Sequence, residues 1–149
     1  MAAHDEVTTR LALVLGDAAV VTLRSVLERL IPDDDWPGGW RAGCGAYLAR
    51  QFAGDLADWV PRYRAGLAAL DAEARLRHAC AFADLAADAA DALLRDIERG
   101  VTRADWPIDA AAFFAGAVDH AAEGFYSDPA NGGNHAGIAW QMVGFVVTG

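Results

Sequence analysis

Apolar residues near the start of the chain recur at helical spacing and predict one long helix over residues 6–31. The apolar face of its second half consists of Val20, Leu23, Leu27 and Leu30. Its first half is apolar on all sides, interrupted mainly by Gly16 and Asp17. A helix of that kind is buried on several sides. We therefore expect either the central helix of a bundle or a helix that meets another protein on one side.

Proline, glycine and aspartate divide the rest of the chain into further helices. Residues 31–39 contain two prolines and three consecutive aspartates, which predicts a solvated turn, since three successive acids cannot converge on one cation. A second helix is predicted over residues 40–53. A third carries Trp59, Tyr63, Leu67 and Leu70, with Pro61 in its first turn.

The clearest periodicity lies in residues 74–98 and predicts one closely packed helix that ends at Gly100. Its apolar seam consists of Leu76, Cys80, Ala83, Ala87, Ala90, Leu94 and Ile97. A last helix is predicted over residues 109–123, with Asp109 as its N-cap and Gly124 as its stop.

Together these elements predict an all-α fold, a compact bundle of about five helices in a single domain over residues 1–149. The helical part covers residues 6–123, and residues 124–149 form a tail rich in glycine and asparagine. Hydrophobic residues make up 54% of the 149 positions, enough for a proper core. Because the tail is also apolar, we expect it to be ordered and packed rather than disordered.

Charge and cysteine content narrow the classes of function. A formal net charge of −9 argues against nucleic-acid binding, which needs a basic stripe. No apolar run reaches the roughly 18 residues of a membrane span, and residues 1–6 lack the cationic start of an export signal. We therefore expect a cytoplasmic protein without membrane insertion. Cys44 and Cys80 lack CxxC spacing, and Cys80 is expected to be a buried free thiol.

Candidate chemistry is sparse. His120 and Glu123 lie three residues apart, a spacing used in carboxylate–histidine metal sites, but no second pair of that kind stands out. The preferred interpretation is a histidine at a helix end, interacting with the helix dipole and a nearby acid. There is no G-x-S-x-G elbow and no G-x-G-x-x-G loop. We predict no catalytic, cofactor-binding or metal-binding residue in this chain.

The tail has the most distinctive motif. Asp128 and Pro129 initiate a turn, and residues 131–134, Asn-Gly-Gly-Asn, tolerate positive φ. We expect residues 128–134 to take one conformation, with Gly132 or Gly133 at positive φ and with Asp128 and Asn134 bonded to backbone amides. The side chains expected to anchor the ends of this tail by burial are Tyr126, Trp140 and Phe145.

This tail resembles the gluconate 2-dehydrogenase subunit 3 family, whose pattern is a double phenylalanine, then E-G-F-x-x-D-P-x-x-G-G-N, a tryptophan and G-F. The matching positions are Phe113, Phe114, Glu123, Gly124, Phe125, Asp128, Pro129, Gly132, Gly133, Asn134, Trp140, Gly144 and Phe145. Upstream, residues 31–38 resemble the family's I-P-x-D…P-G turn, and residues 63–70 resemble its Y-x-x-G-L-x-x-L helix.

The resemblance implies a non-catalytic small subunit that binds, stabilises and helps fold a large FAD-dependent dehydrogenase of the glucose–methanol–choline type. That partner would hold the FAD and oxidise a sugar or an alcohol, and a separate electron-acceptor protein takes part in some complexes. The residues expected in the partner-binding or structural loop are Phe125, Tyr126, Asp128, Pro129, Asn131, Gly132, Gly133, Asn134, Trp140 and Phe145. A partner that carries an export signal would instead take the complex to the periplasm.

Two alternatives to this interpretation stay open at this point. One is a self-contained helical scaffold that forms homo-oligomers, which the apolar first helix permits. The other is a small helical metal-dependent enzyme, whose candidate residues are His120, Glu123, Asp128 and His135. A neighbouring gene for a large FAD-binding oxidoreductase would favour the subunit over both.

Overall fold

A computed structural model describes residues 2–127 and 133–134 of the chain. Within these residues the chain is all-α, as predicted, and contains no strand. Its α-helices are α1 Ala2–Leu15, α2 Asp17–Leu30, α3 Cys44–Phe52, α4 Val60–His78, α5 Ala87–Glu98 and α6 Ala110–Tyr126. Two single turns of 3₁₀-helix, Ala57–Trp59 and Phe82–Asp84, precede α4 and α5.

The long first helix predicted from the sequence is two helices, because the backbone breaks at Gly16. Gly16 has a φ of 92°, which a residue with a Cβ adopts only under strain. The break lets α1 fold back and pack on both α2 and α3. Nor is α1 buried on several sides: Leu11 and Leu15 are buried, whereas Leu13 is 81% exposed.

The predicted helix over residues 74–98 is also wrong. α4 starts with Pro61 in its first turn, as expected, but continues to His78 and ends where Ala79 takes a φ of 58°. A separate α5 begins at Ala87. Of the predicted seam only Ala90, Leu94 and Ile97 of α5 are buried, and Leu76 at its start is 61% exposed. Gly100, with a φ of 73°, follows α5 as predicted.

α6 begins as predicted but ends later. The Asp109 carboxylate caps it by accepting a bond of 2.9 Å from the Ala112 amide. The helix then runs through Gly124, which was expected to stop it, as far as Tyr126. Gly124 is instead a packing position, because a Cβ there would lie 2.9 Å from Cδ1 of Tyr47 on α3. α3 itself begins only at Cys44, because Gly43 before it has a φ of 102°.

Helices α1 to α6 all contribute to the core, and two glycines allow its aromatic rings to approach a helix backbone. A Cβ at Gly66 of α4 would lie 2.6 Å from the ring of Phe113. A Cβ at Gly116 of α6 would overlap the Trp59 ring. The largest fully buried side chains include Tyr63, Phe82, Phe125, Leu11, Leu23, Leu27, Leu48, Leu67, Leu70, Leu93 and Ile97.

The predicted solvated turn between α2 and α3 is confirmed, and its three aspartates are exposed. The Asp33 carboxylate accepts from the Gly38 amide, and the Asp34 carboxylate accepts from the Trp36 amide at 2.9 Å. Both bonds stabilise the turn locally.

Both cysteines are free thiols. Cys44 is fully buried, its thiol 3.4 Å from the Ala121 carbonyl oxygen, and burial raises its pKa to about 12. Cys80 was expected to be buried but is only half-buried, since it follows the end of α4 rather than lying within a helix.

Candidate partner-binding region

The last turn of α6 presents two adjacent aromatic side chains with different surroundings. Phe125 is 2% exposed and belongs to the core, whereas Tyr126 is 46% exposed. Their rings meet edge to face with centroids 4.9 Å apart. Tyr126 was predicted to be buried, but successive helical residues point in different directions. Phe125 is therefore the aromatic anchor at this end of the tail.

Gly133 and Asn134 return to this last turn, and both are buried. The Asn134 side-chain amide donates a bond of 2.8 Å to the Ser127 carbonyl oxygen. The Ser127 hydroxyl donates to the Gly124 carbonyl oxygen at 3.2 Å. A Cβ on Gly133 would overlap that same oxygen. The glycine and asparagine of the motif thus attach the tail to the end of α6.

Of the Asn-Gly-Gly-Asn segment, the structure describes Gly133 and Asn134. Asn134 takes a positive φ of 46°, and the positive φ expected at Gly132 or Gly133 stays a prediction. A glycine is required at position 133 because its backbone lies against α6, and the Asn134 side chain donates to a carbonyl oxygen. The other predicted loop residues lie outside the described part of the chain: Asp128, Pro129, Asn131, Gly132, Trp140 and Phe145.

A bond between side chains of α3 and α6 supports the same end of α6. The Tyr47 hydroxyl donates to Oε2 of Glu123 at 3.1 Å. Burial, and then the bond to this carboxylate, raise the pKa of Tyr47 to about 12. Glu123 was considered as a metal ligand from its spacing to His120, but here it orients Tyr47 next to Gly124.

His120 lies inside the bundle, not at a helix end as predicted, because α6 continues six residues further. Its Nδ1 lies 2.7 Å from the Tyr63 hydroxyl, and the Trp59 ring packs edge-on at 4.7 Å. Burial lowers the pKa of His120, although Glu123 and Asp119 oppose this shift. Across residues 2–127 and 133–134, no group of three or more metal-ligating side chains comes together.

A buried carboxylate that the sequence analysis missed connects α4 to the segment between α5 and α6. Glu73 is fully buried. Its Oε1 accepts from the amides of Arg103 and Ala104, at 2.7 and 2.6 Å, and from the Trp106 indole at 3.1 Å. Its Oε2 pairs with Arg77 at 2.8 Å. Burial alone would raise the pKa of Glu73, but these four donors outweigh it, so the pKa is lowered.

The sequence profile of gluconate 2-dehydrogenase subunit 3 matches residues 17–149. The chain belongs to this family. The match confirms the resemblance predicted from the tail motif, and it begins at the first residue of α2, so that α1 precedes it. Searches among characterised protein sequences and among solved structures gave no significant match. None of the helices in the described part of this family member has the length and hydrophobicity to cross a membrane.

Proposed function

We propose that this chain is the non-catalytic small subunit of a large FAD-dependent dehydrogenase of the glucose–methanol–choline type, which it binds, stabilises and helps fold. The observation that carries the proposal is the family match over residues 17–149, because the family is named as a subunit of a dehydrogenase. The FAD and the oxidation of the sugar or alcohol are assigned to the large subunit.

The hydrogen-bond partners of the buried polar side chains support an accessory role. In the described part of the chain, every buried side-chain nitrogen or oxygen has a hydrogen-bond partner. The buried carboxylate of Glu73 holds a loop, and His120 is bonded to Tyr63 within an aromatic cluster. Groups of these types act in catalysis when they face a substrate, whereas here their partners belong to the fold.

The attachment of the tail to α6 supports a role in assembly. Asn134, directly before residues 135–149 in sequence, is bonded to the end of α6 through the Ser127 carbonyl oxygen. Those fifteen residues contain no aspartate, glutamate, lysine or arginine. Burial of the apolar side chains in this segment is favourable. We propose that the tail is buried in the complex, with Trp140 and Phe145 as anchors.

Co-expression tests the proposal. The chain is produced together with a large FAD-dependent dehydrogenase of the same host, and the large subunit is captured by an affinity tag. We expect both chains in fixed ratio, flavin in the complex only, and a lower yield of folded large subunit when it is expressed alone. FAD bound to the small chain by itself, or no complex at all, would overturn the subunit assignment.

The same preparation tests the two alternatives. A stable homo-oligomer that ignores the flavoprotein would favour a self-contained scaffold, and a stoichiometric metal in the isolated chain would favour a metal-dependent enzyme. We also propose that the complex is cytoplasmic. The alternative is co-export to the periplasm with a partner that carries the export signal. Fractionation of the native host decides between the two locations.

A further inference from the structure

The turn between α1 and α2 consists of a single residue, Gly16. It has a φ of 92° and a ψ of 155°, a backbone conformation that glycine alone adopts without strain. Helical bonds reach it from both sides. The Gly16 amide donates to the Ala12 carbonyl oxygen at 2.8 Å, and the Gly16 carbonyl oxygen accepts from the Val20 amide at 3.2 Å. Helical dihedral angles at Gly16 would therefore join α1 and α2 into one continuous helix.

A continuous helix has local advantages over the bent one. It would add three backbone bonds, from the amides of residues 17–19 to the carbonyl oxygens of residues 13–15. In the bent form, no side chain of the described residues caps the start of α2. The Val14 carbonyl oxygen accepts instead from Nε of Arg64, at 2.7 Å. The apolar periodicity also continues through the break, which is why the sequence predicts one helix over residues 6–31.

The packing of α1 on the bundle opposes this local preference. α1 lies against α2, α3 and α4, and the side chains of Leu11 and Leu15 are buried there. Straightening within a single chain would return both side chains to water, which is unfavourable. A second copy of the chain removes this conflict, because its own α2, α3 and α4 offer the same surface to α1.

Two apolar side chains on either side of the hinge are exposed in the bent chain. Leu13 is 81% exposed and Val21 is 58% exposed. In a continuous helix these residues would lie about 12 Å apart along the axis and within about a quarter turn of each other. When two copies exchange a helix around a two-fold axis, their hinge segments meet near that axis. Leu13 and Val21 are therefore placed where the second copy would cover them.

We propose that two copies of this chain exchange α1, with Gly16 as the hinge. Each α1 and α2 become one helix, and each α1 packs on the α2, α3 and α4 of the other copy. Short hinges favour such an exchange. The dimer keeps the burial of Leu11 and Leu15 and gains the three backbone bonds in each chain. The inference does not depend on the proposed function, because the partner is a second copy and the binding surface lies within the matched residues 17–149.

Gly16→Ala tests the hinge in the full chain. Alanine is strained at the bent angles and prefers a helix more than glycine does. We therefore expect the dissociation constant of the dimer, measured by analytical ultracentrifugation, to fall at least about a hundredfold. Gly54→Ala is the matched control and should leave the constant unchanged, because Gly54 has no positive φ and a Cβ there would meet no described atom within 4 Å. Three glycines inserted after Gly16 would interrupt a continuous helix and should leave the chain monomeric.

Arg64→Met tests the competition for the Val14 carbonyl oxygen. The bond from Arg64 belongs to the bent form, since in a continuous helix the Ala18 amide takes that oxygen. Its loss should lower the dissociation constant of the dimer about tenfold. An unchanged or higher constant would contradict the exchange, because a bond that is kept in both forms does not shift the equilibrium towards the dimer.

Spin labels distinguish this exchange from ordinary association of two bent chains. Thr8 and Glu28 are exposed and line one cavity between α1 and α2 in the bent chain. In a continuous helix they would be about 30 Å apart. Chains labelled through Thr8→Cys are mixed with chains labelled through Glu28→Cys, and both carry Cys80→Ser. The mixture is unfolded and refolded together, and distances are measured in the dimer fraction.

A short distance between labels on different chains supports the exchange. A dimer without that distance would overturn it, and so would an unmodified chain that stays monomeric at every concentration. Neither of these results changes the proposed function, which the co-expression experiment tests separately.

Discussion

The backbone of Gly133 lies so close to Gly124 that a methyl group at position 133 would overlap the Gly124 carbonyl oxygen. Gly133 therefore lies directly against the last turn of α6. A Cβ at either glycine would lie less than 3.0 Å from a neighbouring atom, so close packing requires a glycine at both positions. At this point the second glycine of the Gly132–Gly133 pair meets the Glu-Gly-Phe segment at residues 123–125.

Gly133→Ala should displace the loop, at a cost of about 1–3 kcal/mol for overpacking. Limited proteolysis should then cleave residues 128–149 faster, and the yield of complex with the large subunit should fall while the KM of the surviving complex stays unchanged. Gly54→Ala is the matched control, because a Cβ at that exposed glycine meets nothing within 4 Å. A shift in KM with full assembly would mean that the loop takes part in substrate binding instead.

Asn134→Ala should weaken the same attachment by about 1–3 kcal/mol, because it removes the bond to Ser127 and leaves an alanine at a φ of 46°. Asn134→Gly loses the same bond but adopts that φ without strain, so its cost should be smaller. Proteolysis rates of the two variants measure the difference. Equal rates would show that the hydrogen bond alone matters.

Glu73→Ala should cost about 3–5 kcal/mol at neutral pH, because it leaves Arg77 and three N–H donors without their buried acceptor. Urea unfolding measures this loss. Glu98→Gln, at an exposed acid of α5, is the control and should change the free energy of unfolding little.

The lowered pKa of Glu73 also predicts how stability depends on pH. The unfolded chain takes up a proton near the ordinary pKa of 4.5, before the folded chain does. The contribution of Glu73 is therefore complete above that pH and is lost as the pH falls through the lower folded value. Glu73→Gln should flatten this acid-side decline. An unchanged slope would show that other carboxylates cause it.

Tyr63→Phe should cost about 1–3 kcal/mol, because it leaves the buried Nδ1 of His120 without its partner at 2.7 Å. A double-mutant cycle with His120→Leu isolates this bond, and the two costs should be clearly less than additive. Additive costs would mean that the two side chains are stabilised independently by the surrounding aromatic rings.

The lowered pKa of His120 predicts a second contribution to how the stability of the protein depends on pH. Its neutral form is favoured in the folded state, so the unfolded chain binds the proton first as the pH drops below the ordinary value of 6.5. Stability from this group should therefore decline below that pH, and His120→Leu should remove this part of the decline.

The sequence by itself determined features whose signals lie within a few residues. Three such features were predicted correctly: Pro61 in the first turn of α4, the Asp109 cap of α6 and Gly100 after α5. They are predictable because a cap or a turn is stabilised by its immediate neighbours. The family was predicted correctly from the tail motif for a similar reason, because the motif is a short run of residues in the sequence itself.

Only the tertiary structure decided where helices break and which polar groups pair. Gly16 breaks a helix and Gly124 does not, although both are glycines within apolar helical patterns. α1 folds back at Gly16, whereas Tyr47 packs against Gly124 within α6. Glu73 and His120 find partners 30 and 57 positions away along the chain. Such contacts depend on how the helices pack against one another, which local periodicity does not predict.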